Sequence, residues 1–271
     1  MEAISSKSND NVKFVRGLNE KKFRNKNKAF YLEGIKIANE ILDRNKAIDI
    51  LFIAYSKSIL LSANGGQELL NKILKLNNIK VLEFNENTFK YMTDTMTPQG
   101  VLVVLKMPEY NLRDVLLNES KNVVVLDQVQ DLGNIGTIVR SSNAFDVDTI
   151  ICTQGTADVY SPKALRSTMG GILNCNIIYI DSVQELNILK EFGYKLVTLS
   201  LDTENMLSSL NLNLKLKYAF VMGNEANGVS KEIQEISDIL VKIPMTEKIE
   251  SLNVGVATSI VLYEQYKNKN I

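Results

Sequence analysis

The sequence predicts an α/β fold, in which a C-terminal domain with a mostly parallel sheet and helices on both faces follows a smaller N-terminal α/β domain. Three observations lead to this prediction. The chain has 271 residues, 45% of them apolar, which suits one large or two modest domains with substantial cores. Strand and helix patterns alternate along both halves, as in parallel sheets with helical crossovers. Residues 107–121 contain Pro108 and interrupt this alternation, so the expected division is 1–107, a linker at 108–121, and 122–271.

The first half shows strand-sized apolar runs separated by helical spacing. Ile35–Leu42, for example, has apolar residues one helical turn apart and predicts a helix. The predicted elements are, in order, strand Phe30–Glu33, helix Ile35–Leu42, strand Asp49–Ala54, helix Gln67–Leu76, strand Lys80–Phe84, helix Asn87–Met92 and strand Val101–Lys106.

The second half begins with Val123–Leu126, a continuous apolar run of the kind that forms a buried parallel strand. The further predicted strands are Thr149–Cys152, Ile177–Ile180, Leu196–Leu199, Ala219–Met222 and Leu240–Ile243. Helical stretches are predicted at 135–145, 162–168, 183–192 and 230–236, and a last helix at about 253–267.

The composition excludes several classes of site. The chain has no histidine, which excludes Ser-His-Asp and Cys-His catalytic sites and histidine-ligated metals. Two cysteines, Cys152 and Cys175, are too few for a four-thiolate metal site, so no metal is expected. The N-terminus is polar and no apolar run approaches the ~20 residues that cross a bilayer, so we expect a cytoplasmic protein without membrane segments.

The neutral total charge conceals two halves of opposite sign. Residues 1–114 carry a net charge of +5 and residues 115–271 a net charge of −5. The excess is greatest in residues 1–28, where eight basic side chains accompany three acidic ones. A basic segment of this kind suits RNA, and Lys21, Lys22 and Arg24 are the candidate contacts; a solvated charged helix explains the charge equally well.

Three strand ends carry polar, glycine-bearing stretches, and ligands of open α/β sheets bind beyond the carboxyl ends of strands. The stretches are 127–141, 221–230 and 243–254. Taken singly, Asn134, Ser230 and either Ser251 or Asn253 are explained as helix caps, and Arg140 as a member of a surface ion pair.

Together the three stretches resemble the motifs of the SpoU/TrmH family of RNA 2′-O-ribose methyltransferases, in the SPOUT class. The family pattern runs roughly D-x-V-x-D-P-x-N-x-G-x-x-x-R, then G-x-E-x-x-G, then I-P-M-x-G-x-x-x-S-L-N-V, and this sequence matches the motifs in order. Leu132 replaces the usual proline of the first motif and Glu247 a common glycine of the third. The segment from Ile4 to Gly34 resembles the family's accessory substrate-binding domain, which is similar to RNA-binding ribosomal proteins.

The resemblance implies S-adenosylmethionine as methyl donor, RNA as substrate (most often 23S ribosomal RNA), a homodimer and a C-terminal trefoil knot. The residues that match the family's polar positions are Asn134, Arg140, Glu225, Ser251 and Asn253. Arg140 acts either as the base for the 2′-hydroxyl or as a stabiliser of the alkoxide. Glu225 accepts a hydrogen bond from Arg140 or orients the nucleotide, and Asn134, Ser251 and Asn253 position the ribose and Arg140.

The resemblance further implies that the donor lies against backbone groups at Gly223, Ile243 and Leu252. The apolar face Val254, Ala257, Ile260 and Val261 of the last helix would form the dimer interface, or else pack on its own sheet.

Three alternatives remain at this stage: a tRNA 2′-O-methyltransferase, a non-catalytic RNA-binding module of the same fold, and a nucleotide-dependent metabolic enzyme. The second predicts loss of Arg140 or of the Ser251–Asn253 pair, and both are present. The third predicts a phosphate-binding loop after the first strand of the domain, and Asp131–Gly136 lacks its glycine pattern.

Overall fold

The computed structural model describes residues 3–44, 48–118, 121–209 and 216–269. The chain divides into two compact units. The first comprises Met1–Pro108 with Tyr160–Arg166, and the second Glu109–Val159 with Ser167–Ile271.

The first unit is built on a four-stranded mixed sheet in the order β1-β4-β2-β3. Strand β4 pairs antiparallel with β1 and β2, and β2 pairs parallel with β3. The strands are β1 (Ala29–Glu33), β2 (Ile50–Tyr55), β3 (Val81–Glu83) and β4 (Val101–Lys106). The helices of this part of the chain are α1 (Asp10–Gly17), α2 (Lys21–Asn27), α3 (Ile35–Asp43), α4 (Lys57–Ser62), α5 (Gly66–Ile73) and α6 (Glu86–Met92).

One face of this sheet is covered by α1 and α6. Val12 and Val15 of α1 and Phe89 of α6 join alternate residues of the strands, such as Tyr31 and Val104, in one buried cluster. The charged α1 therefore has a buried apolar stripe, and its basic residues lie on the remaining sides of the helix.

The second unit contains a six-stranded, all-parallel sheet in the order β10-β8-β9-β5-β6-β7. The strands are β5 (Val123–Leu126), β6 (Thr149–Cys152), β7 (Asn176–Tyr179), β8 (Tyr194–Leu199), β9 (Lys217–Met222) and β10 (Ile239–Val241). The helices are α7 (Leu112–Asn118), α8 (Leu132–Ala144), α10 (Asn187–Glu191), α11 (Lys231–Ile236) and α12 (Val254–Lys269), while most of α9 (Pro162–Thr168) belongs to the Tyr160–Arg166 segment of the first unit. The predicted α/β class with a mostly parallel sheet is confirmed, as is the smaller N-terminal α/β unit.

The strand order places the candidate motifs side by side. Strands β5 and β9 are neighbours, with Leu126 opposite Met222, although they are far apart in sequence. Their carboxyl ends meet at one edge, so the first and second motifs begin next to each other. The third motif leads into α12, which packs against α8, the helix of the first motif.

Helix α7 lies inside the segment 108–121 that the sequence analysis interprets as a linker. Leu116 is fully buried and Leu112 packs against the same cluster, together with Leu189 of α10 and Ile233 of α11. This linker segment is therefore partly helical, because its few apolar residues recur at helical spacing and cover the sheet of the second unit. The limits of the functional domains remain a prediction.

Three helices of the first unit, α1, α2 and α4, are not among the predicted elements, and the other differences are small. The stretch 183–192 is a 3-10 turn, Val183–Leu186, followed by α10. Across the described residues, no helix is both long and apolar enough to cross a membrane.

Candidate active site

The first motif forms the turn from β5 into α8. Asp131 is the N-cap of α8, because its carboxylate accepts a hydrogen bond from the backbone N–H of Asn134 at 2.8 Å. Asn134 is therefore not the cap of this helix. Its side chain is buried and points to other partners.

Asn134 connects the three motifs. Its Nδ2 donates to Oε1 of Glu225 at 3.0 Å, and its Oδ1 accepts from Nδ2 of Asn253 at 2.8 Å. Asn253 also caps α12, since its Oδ1 accepts from the backbone N–H groups of Gly255 and Val256. Three of the five predicted catalytic residues, one from each motif, thus form one hydrogen-bonded group.

Glu225, in the second motif, accepts hydrogen bonds from residues of the first motif. Besides Asn134, its carboxylate accepts from the backbone N–H of Asp131 at 3.1 Å and of Gln130 at 3.3 Å. Burial opposes the ionisation of Glu225, but the hydrogen bonds from Asn134 and from backbone amides outweigh it and lower the pKa of this carboxyl. Glu225 is therefore a carboxylate at neutral pH. Of the two roles considered for Glu225, the hydrogen bond from Arg140 is not formed in this structure.

Arg140 lies on the exposed side of α8. Within the described ranges its guanidinium makes no hydrogen bond or ion pair, so the surface ion pair that was the alternative explanation is not present. Ser251 is likewise exposed and has no hydrogen-bond partner among the described residues. Both side chains are accessible to a ligand.

A cavity of about 400 Å³ lies beyond the carboxyl ends of β8, β9 and β10. The three residues predicted to contact the donor, Gly223, Ile243 and Leu252, all line it, and so do Glu225 and Ser251. A Cβ on Gly223 would lie 2.2 Å from the backbone carbon of Gly228, so only glycine fits there. The second-motif loop, residues 223–228, can adopt this conformation only because residue 223 has no side chain.

Asp127 is a structural residue of this region to which the sequence analysis assigned no role. It is 2% exposed, and its carboxylate accepts from the backbone N–H of Ser230 at 2.7 Å and from Oγ1 of Thr153 at 3.0 Å. The backbone N–H of Gln128 in turn donates to Thr153 Oγ1. Asp127 therefore connects the ends of β5 and β6 to Ser230 at the start of α11. A carboxylate placed directly after a fully apolar strand is the signal that would have identified it.

The candidate RNA contacts separate into two kinds. Lys21 and Lys22 are exposed on α2. Arg24 is 2% exposed, and its guanidinium donates to the backbone carbonyl of Leu18. Arg24 is thus a structural residue, because α2 packs against β1 and turns this side chain inwards.

The predicted dimer face of the last helix is also corrected. Val254, Ala257 and Val261 are buried within the chain and Ile260 is half-buried, since α12 packs against α8 and β9; this agrees with the alternative that the face packs within its own chain. The apolar side chains that α12 exposes are Val256 (47%) and Tyr263 (52%), two turns apart on another side of the helix.

Comparisons with known proteins match both parts of the chain. The model of the SpoU rRNA Methylase family matches residues 121–263, and that of the MRM3-like substrate binding domain matches residues 9–103. The chain is 29% identical to the 23S rRNA (guanosine(2553)-2'-O)-methyltransferase RlmP of Bacillus subtilis, with 97% of this chain and 98% of that protein covered. It is 34% identical to the 23S rRNA (guanosine-2'-O-)-methyltransferase RlmB of Nitrosomonas europaea over 65% of this chain and 69% of that protein.

Among solved structures, the chain is similar to an AdoMet-bound rRNA methyltransferase from Sinorhizobium meliloti. The TM-score is 0.86 with 27% identity, and 98% of each chain is covered. A family model that matches more than half of the residues, together with a relative aligned over nearly the whole length, establishes that the chain belongs to the SpoU rRNA methylase family.

Proposed function

We propose that this protein transfers a methyl group from S-adenosylmethionine to a ribose 2′-hydroxyl of 23S ribosomal RNA. The observation that carries the proposal is the position of the Asn134–Glu225–Asn253 group beside the cavity that all three predicted donor contacts line. The relatives from Bacillus subtilis and Nitrosomonas europaea, both named as 23S rRNA 2'-O-methyltransferases, favour ribosomal over transfer RNA as substrate.

The cavity fits the donor in size and lining. Its volume of about 400 Å³ falls within the range of small-molecule sites, about 300–1,000 Å³. Gly223 lets the backbone of the second-motif loop approach closely, while Ile243 and Leu252 add apolar surface and backbone groups. When bound there, S-adenosylmethionine supplies an activated methyl group on a sulfonium.

Arg140 then acts on the ribose. A ribose hydroxyl is a very weak acid, and a guanidinium, which holds its proton in proteins, is a poor proton acceptor. We therefore assign Arg140 to stabilising the forming alkoxide and the neighbouring phosphate, with the hydroxyl proton passing to solvent. The Asn134–Glu225–Asn253 group holds α8, the second-motif loop and the start of α12 together, so that an in-line approach of the hydroxyl is maintained.

The test compares Arg140→Ala with Arg113→Ala, a control that removes an arginine paired with Glu191 at 2.8 Å on the surface. Donor Kd is measured by calorimetry, and turnover with unmethylated 23S rRNA transcripts. We expect Arg140→Ala to lower turnover at least about 100-fold and to change the donor Kd by less than twofold, with the control unaffected. Near-normal turnover of Arg140→Ala would refute the role.

The target RNA is tested separately, by mapping 2′-O-methyl groups in total RNA from cells with and without the gene. Loss of one methylated 23S nucleotide is the expected result, and loss of a tRNA methyl group instead would establish the alternative substrate.

The organisation of the active protein is part of the same proposal. We assign RNA binding to residues 1–107 and methyl transfer to 122–271, in a cytoplasmic homodimer whose C-terminal loops form the trefoil knot that the family resemblance implies. The exposed Val256 and Tyr263 support a dimer contact on α12, beside the site. Tyr263→Glu should give folded monomers by light scattering and circular dichroism, whereas Val261→Asp, at a fully buried position, should unfold the chain. A wild type that is monomeric and fully active would refute the dimer.

A further inference from the structure

An exposed tyrosine of the N-terminal unit is flanked by two cationic side chains. The ring of Tyr91, in α6, is contacted by the guanidinium of Arg16, 4.1 Å from the ring centroid, and by Nζ of Lys7 at 4.8 Å. Tyr91 is 38% exposed, and both cations are exposed. The N-terminal residues Lys7 and Arg16 thus form one cationic, aromatic surface with Tyr91, which follows Arg16 by 75 positions.

Arg16 is held in place on this surface. Its Nη1 donates to the backbone carbonyl of Tyr91 at 2.7 Å, so one hydrogen bond and the ring contact fix the guanidinium. A fixed guanidinium loses little conformational entropy when it binds, and its remaining N–H groups and outer face are open to a ligand.

The segment that carries Lys7 is anchored to the same helix. Ile4 bridges to Phe84 beside β3, and the hydroxyl of Thr88 in α6 donates to the carbonyl of Ser5 at 2.8 Å. The position of Lys7 over the Tyr91 ring therefore rests on paired backbone as well as on the cation–π contact.

The two cations are not neutralised. Among the described residues no carboxylate forms an ion pair with Lys7 or Arg16, whereas Lys90, the neighbour of Tyr91, is paired with Glu86 at 2.6 Å. Two like charges on one ring repel each other, and a bound anion relieves that repulsion.

We propose that Lys7, Arg16 and Tyr91 form a contact site for single-stranded RNA, in which the cations hold backbone phosphates and an unpaired base stacks on the Tyr91–Arg16 surface. Stacking on an aromatic or guanidinium plane beside basic groups is the usual recognition of unpaired nucleotides. The identity of the RNA as ribosomal rests on the proposed function. The site is distinct from Lys21 and Lys22 on α2.

The test uses the full chain and fluorescence anisotropy with two probes, a 20-nucleotide oligouridylate and a 20-base-pair RNA duplex, over a series of salt concentrations. Lys7→Ala and Arg16→Ala should each reduce the salt slope of log K for the oligouridylate by about 0.7. Tyr91→Leu should weaken oligouridylate binding at least about fivefold, leave its salt slope unchanged, and leave duplex binding unchanged. Arg16→Lys should keep the salt slope, because the positive charge is retained, but should weaken oligouridylate binding. A lysine lacks the planar guanidinium on which a base stacks.

The matched control is Lys72→Ala, which makes the same change in net charge at a lysine paired with Asp43 at 2.6 Å. It should leave the salt slope unchanged, and melting curves of all variants establish that they are folded. The proposal would be overturned if the salt slopes of the Lys7 and Arg16 variants equalled that of Lys72→Ala. It would also be overturned if Tyr91→Leu weakened the binding of both probes equally. If the variants bind the two probes as expected but the wild type does not methylate 23S rRNA, the proposed function is wrong and the RNA contact site is still supported.

Discussion

The substitution Asn134→Asp tests the hydrogen-bonded group that joins the three motifs. The two side chains have the same shape, so the change replaces only the donor Nδ2 by a carboxylate oxygen. That oxygen would face Oε1 of Glu225 across 3.0 Å, while the hydrogen bond from Asn253 at 2.8 Å is retained. The perturbation is therefore electrostatic and local.

Two terms contribute to the loss of stability. A hydrogen bond to a charged acceptor contributes about 1.5–3 kcal/mol, and it is lost. Two carboxylates 3.0 Å apart repel by about 1.4 kcal/mol in bulk water and by about 5.5 kcal/mol at the effective dielectric constant of a protein surface. Because Glu225 is solvent-exposed, both terms take values near their lower limits. We expect a total of about 2–4 kcal/mol, which lowers Tm by at least about 4 °C.

The pH dependence distinguishes this cause from simple loss of packing. In the wild type the folded-state pKa of Glu225 is lowered, so its contribution is present above the unfolded pKa of about 4.3 and is lost as the pH falls through the folded value. In the variant the paired carboxylates raise a pKa above its unfolded value, so the repulsion is present at neutral pH and is relieved as the pH falls towards about 4. The difference in Tm between the two proteins should therefore be large at pH 7.5 and small at pH 4.5.

The assay is thermal unfolding at the two pH values, with donor Kd measured by calorimetry at pH 7.5. The double variant Asn134→Asp/Glu225→Gln removes the charge pair and should recover part of the lost stability. A destabilisation that is equal at both pH values, or a double variant no more stable than the single one, would refute the reasoning.

Three further predictions concern other parts of the chain. Gly223→Ala should weaken donor binding more than tenfold in calorimetry, because its Cβ would meet the Gly228 backbone at 2.2 Å; binding within twofold of the wild type would contradict this. Arg24→Ala should lower the free energy of unfolding by about 2–3 kcal/mol in urea titrations, since the Leu18 carbonyl loses its donor in a buried place, while the salt slope of RNA binding stays unchanged. Burial raises the pKa of the Cys175 thiol to about 12, so this residue should resist iodoacetamide at pH 8 in the native protein and react in urea; rapid native labelling would be the contrary result.

The sequence predicted the strands of the C-terminal sheet closely. Strands β5 and β6 have the predicted limits, because a strand buried on both faces is a continuous apolar run whose ends are marked by polar residues. Helix α8 begins at Leu132, three residues before the predicted start, because the N-cap is Asp131 and the glycines after it are already helical. Its motif glycines led the sequence analysis to interpret this first turn as loop.

The candidate residues of the site came from the resemblance of three stretches after strand ends to the motifs of the family, and such motifs are local features of the sequence. The partners of those residues did not follow from it. That Asn134 lies between Glu225 and Asn253 depends on β5 and β9 being neighbours in the sheet and on α12 packing against α8.

The orientation of individual side chains was decided by tertiary structure in the same way. Arg24 is as basic as Lys21, yet it is buried because α2 packs on β1, and Val261 faces the interior because α12 packs on α8 and β9. The order of residue types along the chain by itself determined the class of fold and the strands of the C-terminal sheet, and its motifs supplied the candidate polar groups. Which groups meet, and which side of a helix remains in water, was decided only when distant segments packed together, because exposure and hydrogen bonding depend on neighbours that local sequence does not specify.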